Sequence, residues 1–215
     1  MSKPFHRYQG SENIPDVKRM PQTTIRANTT PRTIGELLSR FEDFCKDEEK
    51  VRSNYPWADR FVMGYPLPKW QRPLVWSQEQ KIKLITSLWM EVDIGSYLIN
   101  DVFEMVKVDD KFTDELKEFS DILLDGQQRL SAMQDYFTDQ FSVPDKDGVP
   151  VRWSYLSKVE RRLFSNQTFS RSTVQSWDEA ELRRIYDLRS FGGTAHTEEQ
   201  RATKKIKKTN TDPKP

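Results

Sequence analysis

The stretch Ile122-Leu123-Leu124-Asp125-Gly126 constrains this chain most. An apolar run there ends abruptly in Asp-Gly, and Leu130, Met133, Tyr136 and Phe137 then resume at helical spacing. The pattern predicts a buried strand, a tight turn and a helix with almost no loop between them. Glycine supplies the turn and lets another group approach the backbone closely. The first backbone N–H groups of the helix are then left without intrahelical partners, beside the positive end of its dipole.

Other elements assemble around this junction. Thr33-Ile34-Gly35-Glu36 reads as a capping box, followed by Ile34, Leu37, Leu38, Phe41 and Phe44 at helical spacing to about Val51. Phe61–Tyr65 reads as a strand broken by Pro66 and Pro68. Ser77 with Gln80 caps a helix whose buried stripe is Ile82, Ile85, Leu88 and Trp89. Tyr97–Asn100 and Val102–Val108 read as strands or one hairpin, and Asp147-Gly148 as the turn of another. Phe169–Trp177 reads as a strand, and Asp178 with Glu181 as the start of a helix carrying Leu182, Ile185 and Tyr186. Helices and strands in this irregular order predict an α+β fold with no internal repeat.

The 215 residues suit one compact domain with tails. Residues 1–33, holding Pro4, Pro15, Pro21 and Pro31, read as an extended arm, residues 34–200 as the domain, and residues 201–215 as a basic tail. The arm carries a net +4, residues 197–215 a net +3, and the body between them −6. An acidic body with basic ends does not fit a domain that grips nucleic acid over its whole surface, although the ends suit phosphates. Cys45 is the single cysteine, which excludes an internal disulfide, and its place near an apolar helix face predicts a packed side chain. His6 and His196 are too few and too distant for a histidine metal site. No apolar run reaches membrane-spanning length and no export signal opens the chain, so a cytoplasmic location is expected.

Two segments concentrate unusual residues. In Pro68-Lys69-Trp70-Gln71-Arg72-Pro73-Leu74-Val75-Trp76, prolines and tryptophans stiffen a loop that holds a guanidinium and an amide. The indoles either stack on a ligand or plug the core, and Arg72 between prolines suits a site because burying it unpaired is costly. In Asp125-Gly126-Gln127-Gln128-Arg129-Leu130, an arginine occupies the first helical turn, where acidic groups are favoured. Two readings fit. Either an anion such as phosphate sits between Arg129 and the helix amides, or Arg129 pairs with a carboxylate and the segment is a capped turn. In the first reading Asp125 holds a divalent metal or accepts a proton, and Gln127 or Gln128 orients a water. The spacing is not that of a Walker motif.

The order Pro68-x-Trp70-Gln71-Arg72-Pro73-x-x-Trp76, then Asp125-Gly126-Gln127-Gln128-Arg129-Leu130, resembles the DGQQR-motif family, the N-terminal domain of GmrSD-type modification-dependent restriction enzymes. Ile185–Thr194 resembles that family's downstream Gly-Gly-Thr segment, with Arg189-Ser190 where relatives commonly have Leu-Asn. The resemblance implies a ParB/sulfiredoxin-like small mixed sheet with packed helices. It also implies a nucleotide site in which Gln71, Arg72, Gly126, Gln127 and Arg129 bind phosphates while Asp125, Gln128 and Arg129 support NTP hydrolysis with Mg2+ on Asp125. Gln127 stands where sulfiredoxins carry cysteine, which excludes sulfinic-acid reduction. With no histidine-bearing nuclease domain following, cutting of DNA is expected from this domain or from a partner chain. A stand-alone, phage-type member is implied, an NTP-hydrolysing domain acting on DNA through its arm and tail. The alternatives are a non-catalytic DNA-binding module with a nucleotide switch, or a protein-interaction module antagonising host defence.

Overall fold

A computed structural model describes residues 20–108 and 111–191. The strands are β1 (Asn28–Thr30), β2 (Arg60–Val62), β3 (Tyr65–Leu67), β4 (Tyr97–Asn100), β5 (Glu104–Val108), β6 (Lys111–Glu115), β7 (Ile122–Asp125), β8 (Val143–Pro144), β9 (Pro150–Val151) and β10 (Arg171–Val174). The helices are α1 (Ile34–Lys46), α2 (Glu48–Ser53), α3 (Gln78–Trp89), α4 (Gln127–Phe137), α5 (Lys158–Ser165) and α6 (Glu179–Phe191). The architecture is α+β, as the order of patterns predicts.

A four-stranded sheet, ordered β1-β10-β4-β7, forms the frame. β10 runs parallel to β4, while β1 and β7 are antiparallel to their neighbours. Alternation divides the side chains between two cores. Tyr97, Ile99 and Leu123 face the larger one, built with Leu37, Ile85, Leu130 and Phe164. Leu98, Ile122, Leu124 and Val174 face a smaller one closed by Leu182 of α6. β7 is therefore covered on both faces, which explains its unbroken apolar run. α6 packs against it, and its turn into α4 lies at the sheet's end.

Several expectations change in detail. Phe61–Tyr65 is not one strand but the hairpin β2–β3, turned at Met63 and Gly64, both with positive φ. Pro66 lies within β3 because an isolated two-stranded ribbon leaves one edge of each strand unpaired. The first helix stops at Lys46, since Asp47 leaves helical geometry and its side chain accepts from Lys50 N to cap α2. Cys45 is exposed rather than packed, as the α1 face toward the core is taken by Ile34, Leu37 and Phe41. β4 and β5 do not form a hairpin with each other; β5 pairs with β6. The end of the arm is extended, and Asn28–Thr30 adds an exposed edge strand to the sheet instead of standing apart. The capping boxes at Thr33 and Ser77 are both present. A third, at Ser157 and Glu160, starts α5, a helix absent from the sequence reading because Val159 and Leu163 face solvent and leave Phe164 as its buried residue. Residues 1–19, Gly192-Gly193-Thr194, His6, His196 and the 201–215 tail lie outside the described residues.

Candidate functional site

The β7–α4 junction takes the form its sequence predicts. Gly126 has φ +100°, and a Cβ there would stand 2.8 Å from the Tyr97 Cβ, so both backbone and packing require glycine. The first helical bond runs from Leu130 N to the Gly126 carbonyl at 2.9 Å. The amides of Gln127, Gln128 and Arg129 precede it, and the first turn holds no acidic residue.

The three glutamines are brought to this junction, and each donates its side-chain NH2 to backbone carbonyls. Gln128 Oε1 accepts from Val75 N at 3.0 Å and Trp76 N at 3.2 Å, while its Nε2 donates to the Pro73 carbonyl at 2.9 Å. Gln127 Nε2 donates to the Arg72 carbonyl at 3.0 Å. Gln71 Nε2 donates to the carbonyls of Leu123 and Leu124 at 2.5 and 2.8 Å. A loop rich in proline has no ladder to satisfy its polar groups, and these amides supply the partners. Gln127 and Gln71 are each 4% exposed, and the Oε1 of each has no hydrogen-bond partner among the described residues. Trp70 is half-buried against Tyr186, with ring centroids 5.2 Å apart, and Trp76 packs on the larger core, so both indoles act mainly as plugs.

Arginines converge from three elements. Arg129 Nη1 donates to the Ile94 carbonyl at 2.7 Å, and Nη2 donates to the Ser96 carbonyl at 3.0 Å and to Asp125 Oδ2 at 3.2 Å. Arg189 of α6 donates from Nε to the same Asp125 Oδ2 at 3.0 Å and from Nη2 to the same Ser96 carbonyl at 2.7 Å. Arg72 is exposed, and its guanidinium has no protein partner among the described residues. Arg129 is thus paired with a carboxylate, as one of the two sequence readings expects, and it shares that carboxylate with Arg189. Burial lowers the Arg129 pKa, Asp125 opposes this, and Arg189 adds to it; a guanidinium remains charged throughout.

A cleft of about 80 Å³ opens here, lined by Arg72, Trp76, Asp125, Gln127, Arg129 and Tyr186 among others. That is several times the roughly 10–15 Å³ one water needs. Larger hollows of about 560 Å³ lie beside Leu88 and Leu163 and beside Arg40 and Tyr55, but neither gathers several arginines. Asp125 is the one carboxylate lining the small cleft. Among the described residues no group of three or more His, Cys, Asp or Glu is placed to hold a metal. The described residues therefore do not form a cage for a resident ion.

Residues 42–214 match the family of the GmrSD restriction endonuclease N-terminal domain. The chain belongs to this family. The matched span contains every candidate site residue, from Gln71 to Arg189, and leaves β1 and most of α1 before it. No curated protein and no solved structure matches the chain.

Within this GmrSD N-terminal domain, Arg189 is the contributor that sequence reasoning missed. Its signal was the helical spacing itself. Leu182, Ile185, Tyr186 and Arg189 recur at three and four residues, which puts the arginine on the same stripe that packs toward the sheet. No helix among the described residues is long and apolar enough to cross a membrane.

Proposed function

We propose that the β7–α4 junction binds the phosphates of a nucleotide and that the bound nucleotide governs action on DNA within a restriction system. The observation that carries this reading is the charge count around the cleft: Arg129 and Arg189 share the Asp125 carboxylate, Arg72 lines the same cleft, and three helix amides beside them have no helical partner. Three guanidiniums against one carboxylate leave an excess of positive charge that suits a polyphosphate. Family membership supplies the link to restriction of DNA.

In this reading Arg72 and Arg129 neutralise phosphate oxygens and the α4 amides bind the same oxygens. Gly126 allows the close approach. Gln71, Gln127 and Gln128 are positioning residues that hold the Arg72 loop at the right distance. Asp125 Oδ1 takes Mg2+ together with the phosphates, and the ion supplies further charge neutralisation. NTP hydrolysis is the finer half of the proposal, with Asp125 as the sole carboxylate in the cleft able to accept a proton from water. The commitment of Asp125 Oδ2 to two guanidiniums favours a second reading, in which nucleotide is bound as a switch without turnover.

A thermal-shift series with ATP, GTP and CTP, with and without Mg2+, tests the reading, because a ligand of the folded state raises Tm. At least one triphosphate is expected to do so. Arg72→Ala should leave the unliganded Tm within about 1 °C, since exposed residues without partners contribute little. It should weaken triphosphate binding about tenfold, the worth of one charge-assisted hydrogen bond. If no triphosphate shifts the wild-type Tm or binds by titration, the reading fails. Phosphate release under saturating nucleotide then separates hydrolysis from switching.

A further inference from the structure

We propose that Arg189 is a further phosphate-binding residue, and that it makes this site select a di- or triphosphate over a single phosphate group. The proposal rests on the phosphate reading of the cleft. Arg129 and Arg189 share two acceptors, Asp125 Oδ2 at 3.2 and 3.0 Å and the Ser96 carbonyl at 3.0 and 2.7 Å. The two guanidiniums therefore stand side by side with one negative charge between them. Two cations so placed repel, and the like-charge cost is relieved by a second anion.

Arg189 has the capacity to bind it. Its Nε is used by Asp125 and its Nη2 by the Ser96 carbonyl and hydroxyl. Its Nη1 has no partner among the described residues, and the side chain is 31% exposed. The unspent Nη1 hydrogens, beside an already charged neighbour, suit charge-assisted hydrogen bonds to an oxyanion. The cleft of about 80 Å³ is lined by Arg72 and Arg129 but not by Arg189. One phosphate group occupies that cleft, and the next group along the chain meets Arg189 outside it. A single phosphate engages Arg72 and Arg129 alone.

Calorimetric titration of orthophosphate, pyrophosphate and tripolyphosphate into the full chain tests this, with the wild type, Arg189→Ala and Arg189→Lys compared. Arg189→Ala is expected to weaken pyrophosphate and tripolyphosphate about tenfold and to leave orthophosphate within about twofold. Arg189→Lys should recover part of the loss, since it keeps the charge but cannot serve Asp125, Ser96 and the anion together. Should Arg189→Ala lose its cooperative melting transition, Arg189→Gln, which keeps a donor for Ser96, replaces it. An equal loss for all three anions, or no loss for any, overturns the role of Arg189 while leaving the site. A wild type that binds none of the three, and no nucleotide either, overturns the phosphate reading itself.

Discussion

The two ends of β7 carry the same chemistry to opposite ends. At its entrance Asp121 accepts from Arg40 Nη2 at 2.5 Å and from the Tyr55 hydroxyl at 3.2 Å, with the Asp121 side chain 10% exposed. Arg40 also donates to the Gly64 carbonyl and stacks over the Tyr65 ring, 3.7 Å from its centroid. One cation meets one anion there, and an aromatic face takes up the remainder of the guanidinium. At its exit Asp125 meets two guanidiniums, and that of Arg72, lining the same cleft, has no partner among the described residues. A large hollow adjoins the balanced end and a small cleft adjoins the unbalanced one. Residual charge, more than cavity size, distinguishes the two ends, and the unbalanced one is where we propose that a ligand binds.

Substitutions at the two ends should break or sharpen this contrast. The largest effect is expected at the balanced end. Asp121→Ala strands Arg40, and about 2–3 kcal/mol of unfolding free energy should be lost, less than for a fully buried pair because Arg40 is partly exposed. The Arg129 and Asp125 side chains are 18% and 22% exposed in their pair, so Asp125→Ala should cost about 2 kcal/mol, and millimolar pyrophosphate should restore it by replacing the missing anion. Urea unfolding with and without pyrophosphate measures both. Restoration of Asp121→Ala, or none for Asp125→Ala, would erase the distinction.

A smaller effect concerns pH. Burial, reinforced by Asp121, pushes the Tyr55 pKa up from 10.0 to about 12. The folded state thus favours the protonated phenol, and this contribution is fully present below pH 10 and lost as pH rises through about 12. Tyr55→Phe should lower stability near neutrality by about 1 kcal/mol, through the lost hydrogen bond to Asp121. It should also flatten the fall in unfolding free energy between pH 10 and 12. An unchanged alkaline slope would remove Tyr55 from the titration.

The smallest effect is a control common to both ends. Ser77→Ala removes one half of the exposed capping box of α3 and should cost about 0.5 kcal/mol, with phosphate affinity unchanged.

Local chemistry was legible in the chain. The capping boxes at Thr33 and Ser77 were readable because each is closed within four residues. So was the strand, glycine and helix of residues 122–137, because an apolar run, a positive-φ residue and a 3.6-residue period follow one another without interruption. Family resemblance named Gln71, Arg72 and the 125–129 segment together. The work each side chain does was not legible. Glutamine amides suit a ligand and a loop equally, and only the approach of residues 71–76 to β7 and α4 turned all three onto backbone.

The sequence by itself determined the α+β class, the obligatory glycine at 126 and an arginine at the mouth of α4, since each follows from local sterics, periodicity or helix polarity. Tertiary structure alone decided that Arg189, 64 positions from Asp125, shares its carboxylate. Charge balance is a sum over groups that are neighbours in space, and the packing of α6 against β7, through Leu182, Leu124 and Ile122, makes these two neighbours.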